Sequence, residues 1–178
     1  TKVERVGVDE QIDLSGRWND TDSQLVSAEM ISDIGNRPWI EEYTAKNGKK
    51  PVVIVGTIRN LSSEHIATAT FAKDLERELV NNGRVTFVAN KLERGELREE
   101  RMEQQTWSSA ETQKRLAAET GADYMLQGSI NSIIDQEGKE SVKFYQINME
   151  MIHLETNEKV WIGDKKIKKY VKKRSRKL

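Results

Sequence analysis

Cysteine is absent from this 178-residue sequence, which excludes disulfides, thiolate metal sites and cysteine nucleophiles while leaving the redox compartment open. Proline occurs only twice, too rarely for a Pro-rich tether. Hydrophobic residues amount to 36% and charged residues to 33%, so part of the chain belongs to solvated helix faces, loops or tails. No run approaches the roughly 18 consecutive apolar residues of a membrane span. No basic leader precedes an apolar run, but residue 1 is Thr rather than Met, so that absence says nothing about export.

Signs of chemistry are equally scarce. The sequence has no phosphate-binding glycine loop, dinucleotide fingerprint, nucleophile elbow or zinc-helix histidine pair. Its two histidines, His65 and His153, have no second His or Cys near them in sequence, and read as structural. Asp20-Thr21-Asp22-Ser23-Gln24 imitates the start of a calcium loop, but Leu25 and Ile31 fall where glycine and a bidentate carboxylate are needed. Helix capping is the better reading. Glu96, Glu99, Glu100 and Glu103 interleave with Arg94, Arg98 and Arg101, the mark of an ion-paired solvated face rather than an acid/base pair. No enzyme activity, cofactor or metal is expected.

The charge that is present is unevenly placed. Twenty-nine basic and 29 acidic residues cancel, yet nine Lys or Arg fall between Lys165 and Lys177. Such a stretch can attract anionic surfaces. Without stacking aromatics beyond Tyr170 it reads as a solvated chain end, and nucleic acid is not an expected partner.

The pattern of elements is that of an α/β (α+β) chain. Asn19 to Ser23 can cap a helix carrying Val26, Met30 and Ile34 and ending at Gly35, and Pro38 suits the start of a second helix with Trp39, Ile40 and Tyr43. Pro51 to Gly56 is a β-branched run expected of a central strand. Phe71, Leu75 and Leu79 predict a helix closed by Gly83, and Arg84 to Ala89 alternates as a strand. Lys91 to Gln105 suggests a marginal surface helix, and Ser108 with Glu111 has capping-box spacing before a helix closed by Gly121. Three extended runs follow, Tyr124 to Ile134, Ser141 to Leu154 and Lys159 to about Val171, separated by turn-like segments. The expectation is a mixed β-sheet ending in an antiparallel meander with helices packed on it, as one globular domain over 1–171 and a basic tail over 172–178.

Asp13-Leu14-Ser15-Gly16-Arg17-Trp18-Asn19-Asp20-Thr21-Asp22-Ser23, Val53 to Asn60, Leu79 to Val88, Ala117 to Gly128 and Thr156 to Trp161 together resemble the LpoB-like penicillin-binding-protein activators. That resemblance implies a fold similar to the amino-terminal domain of TolB. It also implies a periplasmic location, an outer-membrane lipid anchor on a cysteine outside this chain, and a bifunctional penicillin-binding protein as partner, with membrane contact only through the anchor. Gly121 to Ile130 also resembles the periplasmic domain of CsgG-type secretion lipoproteins, the alternative reading. On the first reading, the loop before the first helix and the loop after the central strand dock onto the synthase. Arg17, Trp18, Asn19, Asp20, Arg59 and Asn60 are the expected anchors. Trp18 reads equally as an anchor or as a plug at the edge of a small core.

Overall fold

The computed structural model describes residues 4–7, 10–88 and 110–172. The expected helix over Lys91 to Gln105, the Ser108 cap, Ala89 and residues 173–178 of the basic tail lie outside them. In chain order the elements are α1 (Asp20–Gly35), α2 (Trp39–Asn47), β1 (Val52–Asn60), α3 (Thr68–Asn82), β2 (Thr86–Phe87), α4 (Ala110–Thr120), β3 (Tyr124–Glu137), β4 (Glu140–His153) and β5 (Lys159–Lys172).

The strands form one mixed sheet in the order β2-β1-β3-β4-β5. β1 runs parallel to both β2 and β3, while β3, β4 and β5 form the antiparallel meander. Two strands differ in length from their sequence patterns. β1 continues past Gly56 because a register shift between Val55 and Ile58 returns Ile58 to the core. β2 has only two residues, since Thr86 and Phe87 alone find partners on β1.

The principal core lies on one sheet face. Val53, Val55, Leu126, Ile130, Ile147 and Met151 project from the strands against Val26, Met30 and Ile34 of α1 and Phe71, Leu75 and Leu79 of α3. Each such side chain, fully buried, contributes about 1.5–3 kcal/mol. Polar ties fix the helices: Ser23 donates to Asp74 across the α1–α3 contact at 2.7 Å, and Trp161 Nε1 donates to Asp33 at 2.8 Å. A smaller cluster on the opposite face packs Leu116 and Ala117 of α4 on Ile54 and Met125. Beyond α4 that face is uncovered among the described residues and mixed in character, with Gln127 donating to Glu150 at 2.8 Å beside the exposed Ile133, Ile162 and Tyr170.

The helix ends follow their local chemistry. Gly48 and Gly83 close α2 and α3 at positive φ, where an L side chain is strained. No helix among the described residues is long and apolar enough to cross a membrane.

Candidate protein-binding surface

β3, β4 and β5 are each 14 residues long and outreach the helices. At their far end the space over the helix-covered face is filled by residues 10–18, which precede α1, and residues 61–67, which follow β1.

The first of these segments is held by a lysine. Asn19 caps α1 reciprocally, its Oδ1 accepting from the Asp22 N–H at 3.1 Å while Asp22 accepts from the Asn19 N–H at 3.0 Å. Asn19 Nδ2 also reaches Asp13 at 2.6 Å. Lys169 of β5 then donates to Asp22 at 2.6 Å, Asp13 at 3.0 Å and the Arg17 carbonyl at 3.1 Å. Burial opposes the Lys169 charge, but its bonds to Asp22 and Asp13 outweigh that and raise its pKa. Gly16 sits at positive φ with no room for a Cβ beside Val171, so the segment lies flat on the strand.

The second segment is tied through Glu64. Its carboxylate accepts from Lys143 at 2.6 Å, from the Tyr145 hydroxyl at 2.7 Å and from the Trp18 N–H at 3.3 Å. Burial pushes the Glu64 pKa up, but those donors together hold it below the usual carboxylate range. The Tyr145 hydroxyl is pushed up by burial and by its bond to Glu64. One carboxylate thus joins both loops to β4.

Five of the six expected anchors gather at this end, in different roles. Trp18 is half-buried, edge-on to Phe71 and Tyr145 with both centroid separations 5.8 Å, and so plugs the core. Asn19 is engaged as the helix cap. Asn60 holds the loop after β1, donating to the Glu64 carbonyl at 2.8 Å and accepting from Ser62. Arg17 and Asp20 are exposed. Arg59 departs from the group: it adjoins core-facing Ile58 on β1, projects to the opposite sheet face, and its charge helps lower the Glu150 pKa there.

Glu64, Lys143 and Lys169 were not among the expected anchors. Glu64 and Lys143 lie 79 residues apart, and Lys169 and Asp22 lie 147 apart, so no local pattern joins them. One signal was available. Lys143 shares the core-facing parity of Tyr145 and Ile147, and Lys169 that of Ile167 and Val171; a lysine in such a position needs a buried acid.

Above this network runs an open groove bordered by Leu14, Arg17, His65, Ile134 and Lys172. Leu14 is 93% exposed and Ile134 41%, so a satisfied polar floor lies beneath exposed apolar and cationic rims. No group of three or more potential metal ligands occurs among the described residues. The arrangement suits contact with another macromolecule.

A family model described as "Peptidoglycan-synthase activator LpoB" matches residues 22–167. Among solved structures, the LpoB C-terminal domain from Salmonella enterica is 17% identical with a TM-score of 0.53, and covers 82% of this chain and 98% of its own. The same domain from Escherichia coli is 18% identical with a TM-score of 0.52 and the same coverage. The NMR structure of E. coli LpoB is 16% identical with a TM-score of 0.53, covering 97% of this chain and 81% of its own. These likenesses bear on the fold. A comparison with curated protein sequences finds no match.

Proposed function

Because this chain belongs to the LpoB family of peptidoglycan-synthase activators, we propose that it binds a bifunctional penicillin-binding protein and raises its activity by stabilising the active conformation. The family is one of cell-envelope lipoproteins, and the proposal includes anchoring to the outer membrane. The match over residues 22–167 carries the reading. The geometry is in keeping with it: among the described residues Asp22 serves the α1 cap, Ser23 ties α1 to Asp74, His153 accepts from the Thr156 N–H in a turn, and exposed groups form a rim. A non-catalytic partner shifts an equilibrium only by binding one state more tightly than the other. The activation therefore requires a surface that fits the active synthase better than the inactive one.

We place that surface at the end where the two loops meet, with Leu14 and Arg17 as its clean probes because both are exposed. Leu14→Ser and Arg17→Ala are each expected to weaken capture of the purified synthase about tenfold, or about 1.4 kcal/mol, and to reduce stimulation of glycan polymerisation while leaving Tm unchanged. Capture and stimulation at the level of the unaltered protein in both variants would remove the surface from this end.

A further inference from the structure

β5 is the last strand of the sheet, and among the described residues no strand pairs with its outer edge. Native sheets keep such edges short, charged or covered, because unpaired backbone groups template another strand. Here six of fourteen residues are Lys against one Asp. These cations are compensated unequally along the strand. On the helix-covered face Lys165 pairs with Glu29, and Lys169 with Asp13 and Asp22. Near the two ends of the strand Lys159 pairs with Glu150 at 2.7 Å and Lys172 with Glu140 at 2.8 Å. Between them, on the open face, Lys166 approaches only Asp164, at 3.5 Å with both side chains more than half exposed. Lys168, opposite Phe144, has no ion-pair partner among the described residues.

A groove follows this edge. Residues 167–172 line it consecutively, so side chains of both parities border it, which places it beside the strand. Its far wall is α1 at Leu25, 54% exposed, and the segment carrying Leu14.

We propose that the free edge of β5 receives an extended acidic segment of the synthase as a sixth strand, an inference that rests on the synthase reading above. Backbone pairing along the edge supplies affinity, and alternate side chains supply selectivity. Acidic residues of one parity meet Lys166 and Lys168, and apolar residues of the other meet Leu25. A second copy of β5 would bring like charges together, which disfavours self-pairing. Asp135, Glu150 and Asp164 interleave with the cations on the open face, a pattern that a uniformly anionic lipid plane would not match.

The test is hydrogen exchange on the full chain, alone and with the purified periplasmic region of the same bacterium's bifunctional penicillin-binding protein. It is joined by affinity measurements on K166E/K168E and L25R, whose folding is checked by circular dichroism. The complex is expected to slow exchange along residues 162–171, and each variant to weaken binding about tenfold or more. No binding by the unaltered protein sinks the synthase reading and this inference with it. Binding with unchanged exchange along β5 and unchanged affinity in both variants sinks the inference alone. Protection of β5 in a free dimer, or K166E/K168E losing binding to phosphatidylglycerol vesicles but not to the synthase, assigns the edge to another occupant and overturns it.

Discussion

Glu64 shows how one side chain organises this surface. It is 9% exposed at its side chain and Lys143 12%, so each charge depends on the other for solvation. Removing one partner of such a pair leaves an uncompensated buried charge. Lys143→Met is therefore expected to destabilise the domain by about 3 kcal/mol, read from urea midpoints, whereas a fully hydrated pair would cost under about 1 kcal/mol. The pH dependence follows in sign. The folded pKa of Glu64 is depressed below 4.5, so its contribution is present above that value and fades as pH falls through the lower folded one. The urea midpoint of Glu64→Gln should accordingly change less than that of the unaltered protein as pH is lowered below about 4.5. Equal acid sensitivity in the two proteins would show that other carboxylates control the transition. Trp18 belongs with this network: Trp18→Ala is expected to cost about 3 kcal/mol through lost packing on Phe71 and Tyr145. Loss of capture by that variant, with a lowered Tm, would report on folding rather than on an interface contact.

The elements were legible where one chemical device decides the outcome locally. The Asn19 cap and the Phe71, Leu75, Leu79 stripe set α1 and α3, and alternating parity set the meander. The limits of β1 and β2 were not legible, because they depend on which residues find partners across the sheet. Nor was the placement of Arg59, whose face is reversed relative to Asn60 simply by strand alternation, although both were read as neighbours on one loop. The candidate site was legible in its segments and not in its bonds: residues 13–23 stood out, while Glu64 and Lys169 act through contacts that no local spacing encodes. Gly128 illustrates the same rule within β3. A Cβ there would fall against the Asn148 carbonyl oxygen and Met149 of β4, so Gly128→Ala is expected to destabilise by about 3 kcal/mol. Its Tm would settle the point, since a shift under about 2 °C would mean that the β3–β4 spacing relaxes freely.

At the scale of the molecule, charge is balanced in sum and divided in space. With 29 charges of each sign, the chain presents no net charge to steer a partner from afar. What remains is local: acids of α1 and the preceding segment neutralise the helix-side lysines of β5, while Lys166 and Lys168 face outward with little compensation. Fields from such groups extend about one Debye length, roughly 10 Å at 0.1 M salt and 3 Å at 1 M. They act mainly on the encounter, whereas apolar contacts made after docking set the lifetime of the complex. Raising salt from about 0.05 to 0.5 M should therefore slow association with the synthase several-fold and change dissociation little. K166E/K168E should reduce that dependence, because it removes the cations that sense the partner at a distance. Stopped-flow measurements at several ionic strengths would read both rates. Association independent of salt would leave Leu14 and Leu25, not the lysine edge, as the groups that govern recognition.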